Sequence, residues 1–309
     1  MTHPAATSHQ PRSARSASPD AGRVQRSRRE LLDDVIALVT ARYVFPDIAE
    51  QVADLLRRND YEHLVDDAQF AATVTADMQT VSADPHLRLL HEPPQPKTTT
   101  GRHHFTKAEI LDGNIGYLEI TVLTEPARYG DIAAAAMTLI ADTEALIIDL
   151  RRNRGGHAAM VAMVCGYLFD EFTHLNNIYL RPADLTVQFW TPAFVPGRRF
   201  GGRKPVWVLT SSTTFSAGEE LAYNLQQSRR GTVVGEQTRG GATSATSWHT
   251  VAPDLVATIP DGRSINPLTG TSWDRVGVTP DIETPAQDAL THAHQLAYAA
   301  VTSTTDPLD

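Results

Sequence analysis

The chain has 309 residues, which fits about two domains of roughly 150 residues, or one large α/β domain with an appendage. Hydrophobic residues make up 41% and charged residues 20%, which allows a packed core and excludes general disorder. The net charge of −9 argues against a nucleic-acid partner, and no apolar stretch reaches the roughly 20 residues that a bilayer requires. The single cysteine, Cys165, excludes an internal disulfide and a cysteine-based zinc site.

The first 28 residues are rich in arginine, serine, alanine and proline and contain almost no large apolar side chains. We therefore predict a disordered basic arm over residues 1–28. The pair Arg28-Arg29 is followed by acidic residues, where a secretory signal would have an apolar segment. A cytoplasmic location is the expectation that follows.

Residues 29–91 have the pattern of a small N-terminal helical domain. Apolar residues three and four positions apart predict three short helices, over 31–43, 48–56 and 68–78. Pro46 is expected to end the first helix and Asp47 to cap the second. Residues 92–103 are rich in proline and threonine and predict an extended linker.

From residue 104 to 309 the pattern predicts one α/β domain, in which strands alternate with helices. The predicted strands are 115–120, 145–150, 205–209 and 232–234, and the predicted helices are 128–142, 157–170 and 217–228. Such units form mainly parallel sheets, whose chemistry lies at the carboxyl ends of the strands. This rule selects two loops, 151–156 and 210–216.

Ser216 lies between a buried strand and a helix, where helical N–H groups could stabilise an oxyanion beside its hydroxyl. It could equally be a plain N-cap, with Glu219 as its capping-box partner. The pair Gly155-Gly156 after a buried strand frees backbone N–H groups for a ligand, or simply makes a tight turn. The 151–156 loop lacks the glycine spacing of a dinucleotide site, and it is not a phosphate-binding loop, because no Gly-Lys-Ser/Thr follows.

A serine nucleophile requires a base, and His86 is the candidate because it lies where the helical region meets the first strand. Most of the other histidines lie in segments that look like surface. The pair His103-His104 lacks further ligands at suitable spacing. We therefore expect no metal and no cofactor.

Several stretches of the chain match one known family in order. They are Asp84-Pro85-His86-Leu87-Arg88, residues 149–156 (DLRRNRGG), residues 215–219 (FSAGE), residues 235–242 (GEQTRGGA) and residues 273–282 (WDRVGVTPDI). Over roughly residues 30–295 the chain resembles the S41 serine peptidases, the tail-specific (C-terminal processing) protease superfamily. It is most similar to the branch that contains the tricorn protease core and the interphotoreceptor retinoid-binding protein modules.

The resemblance implies a crotonase-like (ClpP/crotonase) ββα core behind the helical domain, and a peptidase that cleaves peptide or protein substrates. It implies these roles by position: Ser216 as nucleophile, His86 as general base, Asp274 in the place of a glutamate that orients the base, and the amides of Ala217 and of Gly155 or Gly156 as oxyanion hole. Arg88 and Arg154 are candidates for binding a terminal carboxylate of the substrate.

The chain departs from parts of the family in informative ways. Gly241 stands where the other S41 branch has a lysine base, and none of the three lysines follows the nucleophile, so a lysine base is excluded. Pro85 replaces a serine that adjoins the base in the tricorn-like core, and Ser82 is a possible substitute. Asp274 is one methylene shorter than the usual glutamate.

Two other functions stay open at this point. The retinoid-binding modules carry hydrophobic ligands on the same architecture, and Phe189, Trp190, Phe194 and Phe200 could line such a pocket or pack a core or lid. A crotonase-type acyl-CoA enzyme is suggested by the core alone. The sequence does not indicate an oligomeric state.

Overall fold

The computed structural model describes residues 26–91, 104–244 and 248–304. The helices in these ranges are α1 (Arg28–Arg42), α2 (Pro46–Arg58), α3 (Asp67–Ser82), α4 (Pro126–Ile140), α5 (Ala158–Gly166), α6 (Ala217–Gln227) and α7 (Ala289–Thr304). The strands are β1 (Arg88–His91), β2 (Phe105–Leu111), β3 (Ile115–Ile120), β4 (Ala145–Asp149), β5 (His174–Leu180), β6 (Leu185–Trp190), β7 (Val206–Thr210), β8 (Thr232–Gly235), β9 (Thr243–Ser244), β10 (Trp248–Ala252), β11 (Leu255–Thr258), β12 (Gly262–Ile265) and β13 (Ile282–Glu283). The predicted linker 92–103 and residues 1–25 of the predicted arm lie outside the described residues.

The largest sheet of the described chain has the strand order β13-β8-β7-β4-β3-β2. Neighbouring strands from β13 to β3 pair in parallel, and β2 closes the edge antiparallel. The apolar runs that predicted β4 and β7 are buried along their whole length. Helices α4, α5 and α6 contribute to the core on one face, and α7 covers the other. The parallel sheet places the ends of β4 and β7 side by side, as the alternating pattern predicts.

The first two helices begin at other residues than the sequence suggests. Ser27 caps α1, because its hydroxyl accepts a hydrogen bond from the Glu30 N–H at 3.2 Å and its own N–H donates to the Glu30 carboxylate at 2.8 Å. Residues 26–28, which the prediction included in the disordered arm, are therefore ordered. Asp47 as the cap of α2 is wrong, because Phe45 is the N-cap and Pro46 takes the first helical position, where its missing N–H costs nothing.

The N-terminal helices do not complete their own core. Four side chains from the second half of the chain belong to the same apolar cluster: Val251, Leu255, Ala257 and Ile259. Strand β1, which follows α3, pairs antiparallel with β11, and β10 pairs on the other side of β11. His86 thus lies just before a strand that is hydrogen-bonded to the rest of the protein.

A third sheet, of order β6-β5-β12-β9, was not predicted, because its strands carry mixed polar residues. Helix α5 also ends at Gly166 rather than at 170, since the Tyr167 amide turns back to the Val164 carbonyl at 3.1 Å. Over the described ranges, no helix combines the length and apolar character that a membrane span requires.

Candidate active site

Ser216 lies in the turn between β7 and α6, directly before the first residue of the helix. Its backbone has φ 54° and ψ −120°, a conformation that costs a non-glycine residue about 1–3 kcal/mol. Two bonds hold the turn in place: Phe215 N–H donates to the Asn153 carbonyl at 3.2 Å, and Ser216 N–H donates to the Glu219 carboxylate at 2.7 Å. The strained turn fixes the serine between the ends of two buried strands.

Glu219 is fully buried and joins this turn to the loop that follows β8. Its carboxylate accepts four hydrogen bonds, from the N–H groups of Ser216 (2.7 Å), Gly240 (2.6 Å) and Gly241 (2.9 Å) and from the Thr238 hydroxyl (2.6 Å). A buried charge is stable only when it is fully hydrogen-bonded in this way. Glu219 is therefore a structural bridge as well as the capping partner that the sequence predicted.

The glycine turn after β4 lies against Ser216 at van der Waals distance. A Cβ at Gly155 would lie 2.9 Å from the Ser216 Cβ, and one at Gly156 would lie 2.0 Å from the Leu123 carbonyl oxygen. The Gly155 N–H already donates to the Asn153 side chain at 2.8 Å. The N–H groups of Gly156 and Ala217 have no acceptor among the residues that the structure describes, so these two donors are available to a ligand.

The His86 ring is held through its Nδ1 atom. Nδ1 lies 3.2 Å from the Thr243 hydroxyl and 3.6 Å from the Asp84 carboxylate. The Thr243 hydroxyl donates to Asp84 at 2.9 Å, so its oxygen is left to accept a proton from Nδ1. This assigns the tautomer with Nδ1–H, in which Nε2 carries the free lone pair that a base requires.

Asp84 is buried and anchors the whole segment. Besides Thr243, it accepts hydrogen bonds from the Tyr43 hydroxyl at 3.1 Å and the His86 N–H at 2.9 Å. Burial, followed by the Asp84 charge, raises the pKa of Tyr43, which keeps it a donor. The Ser82 hydroxyl accepts a hydrogen bond from the Asp84 N–H at 3.1 Å, and among the described residues no hydrogen bond joins it to the His86 ring.

Sequence reasoning missed Asp84, Thr243 and Tyr43 as parts of the site. Asp84 stands two residues before the histidine, within the first of the motifs that match the family, so its position is a usable signal. Thr243 lies 157 residues from His86 in the chain and has no local signature.

Asp274 lies in the same region, with its carboxyl group mostly buried. Burial and the charge of Asp84 raise its pKa to about 6, whereas Arg275, the Ala242 N–H and His86 act in the opposite direction. Its carboxylate is 3.4 Å from the Arg275 side chain. In the described part of the chain no hydrogen bond joins it to the His86 ring, so the contact to Nδ1 is made by Thr243 and Asp84.

Phe215 connects the histidine to the turn that contains Ser216. The His86 and Phe215 rings are stacked, with centroids 4.6 Å apart and an interplanar angle of 26°. Gly241 packs against both, because a Cβ there would lie 2.3 Å from Phe215 Cε2 and 2.9 Å from His86 Cε1. Within the described ranges no hydrogen bond links His86 to the Ser216 hydroxyl. Such bonds often form only when substrate binds.

The two arginines suggested for substrate binding are both tied to the loops of the site. Arg88 Nε donates to the Pro85 carbonyl at 2.6 Å, and Arg154 Nη1 donates to the Thr213 carbonyl at 2.9 Å. The aromatic residues suggested for a hydrophobic ligand are divided. Phe189, Trp190 and Phe194 line an apolar cavity of about 700 Å³, which Ser216, His86 and Gly155 do not line, whereas Phe200 is packed in the core.

Family models match almost the whole described chain. The model of peptidase family S41 matches residues 114–284, and the N-terminal domain of the family in eukaryotic IRBP matches residues 22–112. A tricorn protease homologue (homolog 2) of Streptomyces coelicolor is 28% identical over 178 residues. That match covers 57% of this chain and 14% of the relative, so the chain spans only a small part of that protein's length.

Solved structures share the fold at low sequence identity. A protein from Parabacteroides merdae has a TM-score of 0.67 at 16% identity, covering 88% of this chain and 97% of that one. The photosystem II D1 C-terminal processing protease has a TM-score of 0.57 at 14% identity, covering 85% and 94%. The tricorn protease has a TM-score of 0.53 at 13% identity, covering 90% of this chain and 37% of its own. These matches confirm the predicted crotonase-like α/β fold with its helical N-terminal region, and the chain belongs to peptidase family S41.

Proposed function

We propose that this chain is a serine peptidase, in which Ser216 attacks the peptide carbonyl and His86 is the general base. The observation that carries the proposal is the oriented imidazole. Thr243 and Asp84 fix Nδ1–H, and the stacked Phe215 ring places the histidine next to the strained serine turn. A tightly held tautomer with a free Nε2 is what proton abstraction from a hydroxyl requires.

In this mechanism the Ser216 oxygen forms a bond to the carbonyl carbon while its proton moves to His86 Nε2. The developing oxyanion accepts hydrogen bonds from the Ala217 and Gly156 N–H groups, which have no other described acceptor. The imidazolium then returns its proton to the leaving amine as the C–N bond breaks. Water, deprotonated by the same imidazole, hydrolyses the acyl-enzyme.

The two nearby carboxyl groups have different parts in the proposal. Asp84 acts through Thr243 and holds the ring, and its charge stabilises the imidazolium. Asp274 adds a second negative charge when it is ionised, which its pKa of about 6 allows at neutral pH. We therefore propose that Asp274 acts on His86 only through its charge. Thr243 and Asp84, rather than Asp274, orient the imidazole ring.

A fluorophosphonate probe tests the proposal, because it labels only an activated serine. We expect labelling of the unmodified protein and none of Ser216→Ala, with His86→Ala slowing the reaction at least about 100-fold. Ser212→Ala is the control, since that serine lies exposed in the same loop. Labelling that survives loss of Ser216, or falls equally in the control, would contradict the assignment.

Peptide cleavage must then be measured with internally quenched peptides, and mass spectrometry of the products separates internal cleavage from trimming near the C-terminus.

If the protein were instead a carrier of hydrophobic ligands, the results would differ. It would bind an apolar fluorophore in the cavity lined by Trp190 and show no labelling of Ser216. The cytoplasmic location stays a prediction.

A further inference from the structure

Tyr43 is the C-cap of helix α1 and reaches the proposed site from the N-terminal helical domain. Its side chain is fully buried, and its hydroxyl donates a hydrogen bond to the Asp84 carboxylate at 3.1 Å. Asp84 also accepts from the Thr243 hydroxyl, which lies 3.2 Å from His86 Nδ1. A continuous series of hydrogen bonds therefore joins a phenol of the helical domain to the ring of the proposed base.

The segment that carries Tyr43 is attached to the α/β part of the chain on both sides of the phenol. Arg181, which follows β5, donates to the Tyr43 carbonyl at 2.6 Å and to the Thr40 carbonyl at 3.1 Å. The Val44 N–H donates to the Pro260 carbonyl at 2.9 Å. The position of the hydroxyl is therefore set by the docking of the helical domain on the rest of the protein.

The charge of Asp84 depends on neutral donors. Within the described ranges its ion-pair contact is with His86 Nδ1 at 3.6 Å, and no lysine or arginine forms an ion pair with it. The Asp84 charge contributes to the raised pKa of Asp274, so the two carboxylates repel each other. A buried carboxylate without a full counter-charge is stable only when hydrogen bonds saturate it, and Tyr43 supplies one of the donors.

The Tyr43 phenol suits this place because it stays neutral and always donates. Burial, and after it the charge of Asp84, raises the pKa of Tyr43, while Arg275 acts in the opposite direction. On Asp84 Oδ2 the other described donor is the Thr243 hydroxyl, since the His86 N–H donates to Oδ1. A carboxylate that lost the phenol would turn more freely and release the Thr243 hydroxyl, whose oxygen accepts the Nδ1 proton.

We propose that Tyr43 is a positioning residue, whose hydroxyl holds the Asp84 carboxylate in the orientation that keeps Thr243 on the His86 ring. The inference rests on the proposed function and adds the N-terminal helical domain to it as a necessary part of the hydrolytic site. If that domain only supported the sheets, phenylalanine could replace Tyr43 without an effect on the histidine.

The matched control is Tyr61, which lies in the same helical domain and makes the same kind of bond. It is buried, its hydroxyl donates to the Asp77 carboxylate at 2.6 Å, and burial raises its pKa as well. Among the described residues no hydrogen bond joins Asp77 to the groups around the His86 ring. Tyr43→Phe and Tyr61→Phe therefore remove equivalent hydroxyls, and only the first should affect the histidine.

The first measurement follows the proton on His86 Nδ1 by nuclear magnetic resonance of protein that contains isotope-labelled histidine. His86→Gln identifies its signal among those of the other histidines. In Tyr43→Phe this proton should exchange with water about tenfold faster than in the unmodified protein, as expected when a hydrogen bond to a charged acceptor is lost, and Tyr61→Phe should not change the rate. A signal that is missing from the unmodified protein, or that exchanges equally in both variants, would overturn the inference.

The second measurement is the rate at which the fluorophosphonate probe labels Ser216. Tyr43→Phe should slow labelling about tenfold, and Tyr61→Phe should stay within about twofold of the unmodified rate. With a quenched peptide, the loss should appear in kcat and leave KM unchanged. In a protein that already carries Thr243→Val, Tyr43→Phe should change the rate by less than about twofold, because both residues act on the ring through one path. Losses that multiply in the double variant would contradict that path.

Arg181→Gln is a second variant, since it loosens the attachment of the segment and leaves the phenol itself unchanged. It should speed the exchange at Nδ1 in the same direction as Tyr43→Phe, and an unchanged rate would count against the role of domain docking. Faster exchange in Tyr43→Phe without any labelling of Ser216 refutes the peptidase proposal alone. Labelling and exchange that Tyr43→Phe leaves unchanged refute the positioning role alone.

Discussion

Glu219→Gln is the substitution that most directly tests how the turn that contains Ser216 is held. The two side chains have the same shape, but the amide nitrogen of glutamine cannot accept a hydrogen bond. Each carboxylate oxygen of Glu219 now accepts two donors: Ser216 and Gly241 at one, and Thr238 and Gly240 at the other. Whichever way the amide turns, two donors lose their acceptor.

Each hydrogen bond to a charged acceptor contributes about 1.5–3 kcal/mol, and the desolvation of the carboxylate offsets part of that sum. We therefore expect the free energy of unfolding to fall by about 3–5 kcal/mol at pH 7. The measurement is urea unfolding followed by fluorescence, in which the midpoint should fall while the slope stays constant. Labelling of Ser216 by the fluorophosphonate probe should slow in the same variant, because its N–H loses its acceptor.

Glu220→Gln is the matched control, since the next residue is also a buried glutamate. One of its carboxylate oxygens has no partner among the described residues, and burial raises its pKa to about 7. A neutral side chain of the same shape should therefore cost less than about 1 kcal/mol. Equal destabilisation by both substitutions would refute the conclusion that the hydrogen bonds of Glu219 hold the Ser216 turn to the loop after β8.

Other outcomes follow from the same contacts. Thr243→Val should lower kcat/KM about 10- to 100-fold by releasing the base, and Thr243→Ser should restore most of it. Gly156→Ala should abolish the cooperative thermal unfolding transition, because the protein should not fold stably when the new Cβ lies 2.0 Å from the Leu123 carbonyl oxygen. Asp274→Asn should reduce kcat/KM mainly above about pH 6, where the carboxyl group is ionised, and a loss independent of pH would contradict its electrostatic role. The native pKa of Glu220 is raised from 4.5 to about 7, so its contribution to the unfolding free energy should fall by up to about 3 kcal/mol as the pH rises between those values. Glu220→Gln should remove this contribution and leave the smaller one from Asp274.

The parts of the fold that could be predicted from the sequence are those with a strong local period. The buried strands β4 and β7 follow from continuous apolar runs, and helix α6 follows from its position after a polar turn. The antiparallel sheet that contains β5 and β12 could not be predicted in this way. Its pairing joins residues such as Gly262 and Leu180, and no local period encodes a contact of that length.

The residues of the candidate site likewise fall into those that the sequence indicates and those that only the structure shows. Ser216, His86 and the glycine turn lie in short motifs, so the order of residues along the chain is enough to select them. The Thr243–Asp84 contact could not be selected in this way, because a threonine hydroxyl in a short strand carries no signal until the chain has brought it to the histidine. His86, the proposed base, and Thr243, which contacts its ring, meet only through tertiary structure.

The pairing of β1 with β11 has a consequence for protein synthesis. Arg88 lies opposite Thr258, so 170 residues separate the strand beside the histidine from its neighbour. During synthesis, helices α1 to α3 and strand β1 leave the ribosome before β10 and β11, with an incomplete apolar cluster and an unpaired strand edge. The His86 imidazole is thus held in place only after β9 and β11 have been made, so the proposed serine–histidine site cannot assemble before those strands emerge.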